Sequence, residues 1–256
     1  MKKVIYGTQT LHDAWQTLNQ FRPEDNGFTN LGSGSDYTAF LQLGIGALDF
    51  GFDANRSTPV YHYHSQYDSH HWMKTLIDPD FGIHAAAGQF MTLLAYRLVN
   101  DALVPFDMVT WARNINYYVR DFVAETMSVG GDDYGVIQRQ IAVSELDDAA
   151  KKLMQVAYRF EDVTTSYDFL KNATRIEEVN GKMKKLGRLF VRDEGLPGRK
   201  FYKNVLVAPN REDGYKAQTL PGSVEALRDG DLARCREWNV WLTGAIEKAS
   251  ELLSLG

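Results

Sequence analysis

The chain has 256 residues, of which 33 are Asp or Glu and 28 are Lys or Arg, so its formal net charge is −5 at pH 7. This acidic balance gives no reason to expect nucleic acid or an anionic membrane as a partner. A single cysteine, Cys235, excludes an internal disulfide bond. No apolar run approaches the roughly 18 residues that a membrane span needs, and no apolar stretch follows Met1. The sequence therefore predicts a soluble chain without a membrane segment or a targeting signal of its own.

Residues 29–52, TNLGSGSDYTAFLQLGIGALDFGF, predict a strand, a glycine-rich turn, a short helix and a second strand, in that order. Asp36 is placed as the N-cap of the helix, and Gly44 is placed to end it. This pattern is typical of an α/β domain. It offers too few strands, however, to close a sheet around a core.

The segment PVYHYHSQYDSHHW, residues 59–72, contains four of the six histidines. If residues 60–64 end a strand, His62 and His64 share one face, while Tyr61 and Tyr63 share the other. Histidine nitrogen binds zinc, and a catalytic zinc site also leaves one position open for water or substrate. Because there is no HExxH motif and no cysteine pair, two hypotheses stay open. The cluster contains a metal ligand, or it is a surface loop whose histidines form local hydrogen bonds.

After residue 90 the apolar residues follow a helical period. They recur at i, i+3, i+4 and equivalent positions in stretches that include Phe90, Trp111, Leu146, Ile176 and Cys235. Amphipathic helices of this length, joined by short links, are typical of an antiparallel bundle.

Capping residues suggest where these helices begin and end. Ser144 is placed as the N-cap of the helix that contains Leu146. Thr174 and Glu177 form a capping-box pattern before the next helix, and Gly195 is placed after its end. The last helix is predicted to begin near Asp231.

Residues 195–222, GLPGRKFYKNVLVAPNREDGYKAQTLPG, interrupt the helical period. A non-helical segment of this length inside a bundle usually has a function of its own. Several bundle helices also carry more large apolar residues than one buried face requires, which favours a second, intermolecular contact. The residues that indicate this excess are Trp111, Tyr117, Tyr118, Trp238, Val240 and Trp241.

The motifs LGSGSDYTAFLQLGI, VYHYHSQYDS, LVPFD and GLPGRKFYKNVLVAPN, taken in this order, resemble the C-terminal part of the glutamate carboxypeptidase II family. These are di-zinc exopeptidases related to the transferrin receptor, and the chain resembles their fungal branch most. The resemblance implies a mostly α chain. Residues 1–103 would be the end of the zinc peptidase domain, an incomplete α/β unit. Residues 104–256 would be a helical dimerisation domain, with residues 195–222 as a substrate-side loop.

The resemblance also implies roles for individual residues. His64 corresponds to the last zinc ligand of the family, and Tyr63 to a phenol beside the scissile carbonyl. Ser33, Gly34 and Ser35 form a turn whose backbone borders the substrate. Tyr215 corresponds to a tyrosine that binds the carboxylate of the C-terminal residue. The intact protein would hold two zinc ions per subunit.

Other positions depart from the family pattern or have no family role. Gly214 stands where the carboxypeptidases have a lysine, and Asp49 and Gly51 stand where they have arginines. The specificity for acidic substrates is therefore not expected here. No role follows from the resemblance for His62, His70, His71 and His84.

A di-zinc hydrolase needs about five ligand side chains and a general base. The first thirty residues offer only His12, Asp13, Glu24 and Asp25, in a context unlike the family motifs. We therefore expect a fragment of a larger metallopeptidase that is inactive alone and forms a homodimer through its helical domain. The alternatives are a receptor-like protein without catalysis and a pure dimerisation module. The intact protein would be a secretory, vacuolar or cell-surface ectodomain, and the sequons at Asn55 and Asn172 are compatible with that route.

Overall fold

The computed structural model describes residues 5–6, 9–10, 13, 15, 17, 29–51 and 60–255. Strand β1 (Ile5–Tyr6) pairs antiparallel with β2 (Gln9–Thr10), and β3 (Val207–Pro209) pairs antiparallel with β4 (Ala217–Thr219). The other regular elements in these ranges are helical, which confirms the prediction of a mostly α chain. Of the helices in the described ranges, none combines the length and the apolar character that crossing a membrane requires.

The part before residue 107 contains short helices and one long one. They are α1 (Tyr37–Leu41), α2 (His70–Trp72), a π-helix (Met73–Ile77) and α3 (Gly82–Asn100). Asp36 occupies the N-cap position of α1, as predicted, but its side chain accepts no hydrogen bond there. Gly44 follows the helix with a φ of 67°.

The strands predicted at both ends of residues 29–52 and at residues 60–64 are wrong. Residues 29–32, 47–51 and 60–62 have no regular structure, and residues 63–64 form a turn. Residue 52 lies outside the described residues. A strand needs a partner for its backbone groups. In the described part of the chain, these segments have none.

The helical part after residue 107 contains the core. It comprises α4 (Met108–Gly130), α5 (Tyr134–Gln140), α6 (Val143–Thr164), α7 (Tyr167–Leu170), α8 (Ala173–Leu186), α9 (Pro221–Arg228) and α10 (Leu232–Leu253), with 3₁₀ turns at Gly131–Asp133 and Gly187–Phe190. Helix α6 packs against both α4 and α10. It is therefore the central helix of the bundle.

The helical period predicted the buried face of α6 correctly. Leu146, Ala150, Leu153, Ala157 and Phe160 are all buried. Burying a side chain of the size of Leu or Phe stabilises the fold by about 1.5–3 kcal/mol. This single stripe, covered by α4 on one side and α10 on the other, forms the centre of the hydrophobic core.

Two predicted caps are displaced along the chain. Helix α6 begins after Ala142, which has a left-handed φ of 55°, and Ser144 instead accepts a hydrogen bond from Gln138 at 2.6 Å. Helix α8 is capped by Asn172, whose Oδ1 accepts from the Arg175 N–H at 3.1 Å. The last helix is capped by Asp231, as predicted.

The tryptophans that were predicted to form an intermolecular face instead pack in or against the hydrophobic core of the chain itself. Trp238 is buried, and a side chain at Gly222 would overlap its ring. Trp111 packs edge-on against Phe190, with 5.8 Å between ring centroids. Of the residues named for this face, Tyr117 and Val240 are exposed.

A polar joint connects the two parts of the chain. The buried Gln42, which follows α1, accepts hydrogen bonds at its Oε1 from the backbone N–H groups of Lys203 (2.6 Å) and Asn204 (2.9 Å). Asn204 in turn donates from Nδ2 to the Leu41 carbonyl at 3.1 Å. The end of α1 is thereby fixed to the loop that joins α8 to α9.

Direct backbone contact completes this joint. A Cβ atom at Gly44 would lie 2.6 Å from the Gly187 carbonyl oxygen and 2.6 Å from the Arg188 Cα. Nearby on α4, the Tyr118 hydroxyl donates to the Asn30 side-chain oxygen, and burial raises the pKa of Tyr118 to about 12. These contacts hold residues 29–51 against the helical part.

Candidate functional site

The GSG turn, which comprises Gly32, Ser33 and Gly34 with the following Ser35, packs against Tyr215, although 181 positions separate Ser33 from Gly214. The Ser33 N–H donates to the Tyr215 carbonyl at 3.0 Å, and the Ser33 hydroxyl donates to the Gly214 carbonyl at 2.6 Å. Tyr37 on α1 donates its hydroxyl hydrogen to the Ser33 carbonyl at 2.8 Å. The structure thus brings together the residues that the resemblance implies for substrate binding.

Glycine is required on the turn side of this contact. A side chain at Gly32 would overlap the Tyr215 carbonyl oxygen. Gly34 has a φ of 105°, and a Cβ there would lie 2.9 Å from the Cε1 of the Tyr215 ring. Tyr215 remains 57% exposed, so one side of its ring meets the turn while much of the phenol stays accessible.

Asp213 fixes the backbone that carries Tyr215. Its Oδ1 accepts from the N–H groups of Tyr215 (2.8 Å) and Lys216 (2.9 Å). These hydrogen bonds, first that of Tyr215 and then that of Lys216, lower the pKa of Asp213 below its ordinary value of 3.8. Asp213 is not among the residues that the sequence predicted for the site. The Asp-Gly dipeptide formed with Gly214 was the available signal, because it is typical of a tight turn.

Tyr63 and His64 form a second group of candidate residues. Their rings stack with 3.8 Å between centroids and 20° between planes. His64 has a left-handed φ of 57°, which costs a non-glycine residue on the order of 1 kcal/mol. The prediction that tyrosines and histidines lie on opposite faces is therefore wrong here. Both side chains are exposed.

The other histidines that make contacts are engaged in packing and capping. The ring of His62 lies 6.0 Å from that of Trp72, and His70 stacks on Phe81 at 5.8 Å. His84 lies on the first turn of α3, with its Nδ1 2.6 Å from the Asp78 carboxylate.

Asp78 is a capping residue that the sequence analysis also missed. It is 3% exposed, and its carboxylate accepts from the N–H groups of Ile83 (3.1 Å) and His84 (2.9 Å). Burial opposes its charge, but the hydrogen bonds from the side chain and backbone of His84 outweigh burial and lower the pKa of Asp78. The Asp78–His84 pair thus stabilises the start of α3.

The described residues do not by themselves fit a zinc ion. A zinc site needs three or four protein ligands. Within residues 29–51 and 60–255, and at the few earlier positions described, no group of three or more His, Cys, Asp or Glu side chains could hold a metal ion. His64 offers one ligand nitrogen. The described residues alone therefore support no chemical step at zinc.

The two groups of candidate residues remain separate. In the ranges that the structure describes, no hydrogen bond, ion pair or ring contact joins Tyr63 or His64 to the GSG turn or to Tyr215. Of the ligand candidates in the first thirty residues, His12, Glu24 and Asp25 lie outside the described residues. The structure thus brings together the residues to which the resemblance assigns substrate binding, and it leaves His64 with its neighbour Tyr63.

Comparison with known families identifies the helical part. Residues 139–254 match the transferrin receptor-like dimerisation domain. This match covers α6 to α10, including the loop that carries Tyr215.

Comparison with individual proteins extends the match to the whole chain. A probable glutamate carboxypeptidase of Arthroderma benhamiae is 36% identical over 260 residues, covering 99% of this chain and 34% of that protein. Vacuolar protein sorting-associated protein 70 of Saccharomyces cerevisiae is 26% identical, covering 99% of this chain and 34% of its own length. A Schizosaccharomyces pombe protein named an inactive zinc metalloprotease is 24% identical, covering 84% of this chain and 27% of that protein.

The chain belongs to the glutamate carboxypeptidase and transferrin receptor-like family. This confirms the resemblance inferred from the sequence motifs. The chain spans about a third of the length of these relatives.

Proposed function

We propose that this chain acts as the C-terminal third of a glutamate carboxypeptidase-like di-zinc exopeptidase. It supplies one zinc ligand, part of the substrate pocket and the homodimerisation domain, and it does not hydrolyse peptides alone. His64 is the ligand, Tyr63 contacts the reacting carbonyl, and the GSG turn with Tyr215 binds the substrate. The remaining ligands of the two zinc ions come from protein outside this chain.

The observation that carries this proposal is the packing of the GSG turn against Tyr215. Two motifs that were selected separately as substrate-binding meet through the hydrogen bonds of Ser33 and the close approach of Gly34. The Tyr215 phenol is exposed beside them and can donate a hydrogen bond to a carboxylate. A purely structural contact would not require the phenol to stay accessible.

The exposure of Tyr63 and His64 fits the roles assigned to them. A phenol donates a hydrogen bond to an oxyanion, and a neutral imidazole offers one nitrogen to a metal. Both groups need access to partners that other parts of a protein supply, and both side chains lie at the surface here.

Apolar surface outside the helical domain supports the need for further protein. Phe40 is 49% exposed, Ile45 40% and Phe50 37%. In a complete peptidase this surface would be covered by the rest of the catalytic domain, because contiguous exposed apolar patches mark interaction sites.

The dimerisation-domain match supports a homodimer as the assembled form. Tyr117 on α4 and Val240 on α10 are exposed apolar residues of the helical part that can take part in its interface. A permanent interface of this kind typically exceeds about 2,000 Å².

The intact protein is proposed to be a membrane-anchored ectodomain in the secretory pathway, the vacuole or at the cell surface. The name of the Saccharomyces cerevisiae relative, which refers to vacuolar protein sorting, supports this route. A second candidate function is a receptor-like module that dimerises without catalysis. The Schizosaccharomyces pombe relative, named inactive, favours that candidate.

A chimera separates these functions. The matching third of the Arthroderma benhamiae relative is replaced by this chain, and bound zinc and hydrolysis of short peptides are measured beside the chain alone. We expect activity and zinc in the chimera, and neither at stoichiometric level in the chain alone. His64→Ala should remove both from the chimera. Tyr63→Phe should keep the zinc and lower kcat by about a hundredfold.

Two outcomes would contradict the proposal. A folded dimeric chimera that binds zinc but hydrolyses nothing would favour the non-catalytic candidate. Stoichiometric zinc and turnover in the isolated chain, both lost on His64→Ala, would show that the chain contains a complete site. Light scattering on the same samples gives the oligomeric state.

A further inference from the structure

The turn between α7 and α8 carries an asparagine in an Asn-X-Thr sequence. Asn172, Ala173 and Thr174 form this triplet, and all residues from 171 to 175 are exposed. Such triplets are acceptors for N-linked oligosaccharides when they lie on the surface of a secreted protein. The sequence alone cannot distinguish a used acceptor from a chance triplet, so the local geometry decides.

Asn172 uses only one end of its carboxamide. Its Oδ1 accepts the hydrogen bond from the Arg175 N–H at 3.1 Å and so caps α8. In the described part of the chain, its Nδ2 donates no hydrogen bond. N-cap function requires the side-chain oxygen alone, so the amide nitrogen can be substituted without loss of the cap.

The neighbouring side chains leave the amide nitrogen accessible. The ammonium group of Lys171 lies over the Tyr167 ring, 3.9 Å from its centroid, and the guanidinium group of Arg175 lies over the Phe169 ring at 5.5 Å. Both cations are therefore held by aromatic rings of α7. The hydroxyl group of Thr174 forms no hydrogen bond with any residue that the structure describes.

We propose that Asn172 carries an N-linked oligosaccharide. Transfer forms a bond between Nδ2 and C1 of the first sugar and breaks the bond between C1 and the diphosphate of a lipid-linked donor. One amide proton is released, with the polyprenyl diphosphate as the leaving group. The modified side chain keeps its oxygen and one N–H, so the cap of α8 persists. The proposal rests on the secretory route in the proposed function.

The test uses the full chain behind a cleavable secretion signal in a eukaryotic host, in a Ser57→Ala background that removes the other acceptor triplet at Asn55. The signal-cleaved population is treated with peptide N-glycosidase. Its electrophoretic mobility is then measured, together with the mass of the proteolytic peptide that spans residues 162–177 and contains Asn172. We expect a mobility shift and conversion of Asn172 to Asp. Both should be lost in Thr174→Ala and kept in Thr174→Ser.

Asn172→Asp is the matched structural control, because aspartate caps a helix as well as asparagine but offers no amide nitrogen. It should lose the glycan and keep the helical circular dichroism of the unmodified chain. A signal-cleaved Ser57→Ala chain without a shift would overturn the proposal, because the measurement does not depend on folding or activity. An unglycosylated but active chimera would leave the peptidase function intact. A glycosylated, inactive one would leave this inference intact.

Discussion

The helical part of the chain and residues 29–100 differ in where their apolar side chains lie. In α6 the apolar residues form one stripe that α4 and α10 cover. Helix α3 has 19 residues and is apolar over much of its surface, yet none of its residues is buried. A helical period therefore shows which residues share a face. It does not show whether the same chain covers that face.

Replacing one leucine by alanine in each part tests this comparison, and the substitution in α6 should have the largest effect of those described here. Leu153→Ala in α6 should lower the free energy of unfolding by about 2–5 kcal/mol, because it leaves a cavity in a closed core. Leu93→Ala in α3, where the leucine is 36% exposed, should change it by no more than about 0.5 kcal/mol. Urea unfolding followed by circular dichroism measures both. Equal losses would mean that α3 is covered in solution by another copy.

A substitution in the polar joint between the two parts should have an effect of intermediate size on stability. Gln42→Leu removes the side-chain acceptor of two part-buried N–H groups, those of Lys203 and Asn204. A fully buried donor left without a partner costs about 1–3 kcal/mol, so we expect a smaller loss for each of these groups. Hydrogen exchange at Lys203 and Asn204 should accelerate accordingly, while exchange in α6 stays the same. Gln66→Leu, at an exposed position, is the control. Unchanged exchange at Lys203 and Asn204 would show that Gln42 does not fix the loop.

The smallest expected effect concerns Asp213. Because its pKa is lowered in the folded chain, its stabilising hydrogen bonds are fully present above the unfolded pKa near 3.8 and are lost as pH falls through the lower folded value. The amide proton shifts of Tyr215 and Lys216, followed by NMR, should titrate below pH 3.8. In Asp213→Asn the titration should vanish. Titration of both amides at or above the ordinary pKa would contradict the assignment.

Local patterns predicted the helical part well, because its core is formed by contacts within the chain. The buried stripe of α6 and the cap of α10 at Asp231 follow from spacing and cap chemistry. The N-cap of α6 was missed because Ala142, in a left-handed conformation, occupies the position where Ser144 was expected. No propensity rule selects alanine for that position.

The candidate site was predictable in its residues but not in its contacts. Ser33 and Tyr215 were selected by resemblance, and only the fold shows that they meet. Gln42 gave no signal, since one glutamine after a short helix looks like surface. The prediction of a strand at residues 60–64 was wrong. It rested on histidines and tyrosines at alternate positions, and such a short pattern does not indicate the left-handed backbone conformation of His64.

The Gly44–Gly187 contact has a consequence for the far end of the segment that it holds. A methyl group at Gly44 would lie 2.6 Å from the backbone of residues 187 and 188, atoms that cannot rotate away as a side chain can. Accommodating it requires the segment that carries Gly44, residues 29–51, to shift away from Gly187 and Arg188. The GSG turn lies near the start of the same segment, where the Ser33 hydroxyl is 2.6 Å from the Gly214 carbonyl. A single carbon atom at this junction would therefore alter the distance between Ser33 and the loop of Tyr215 without touching either.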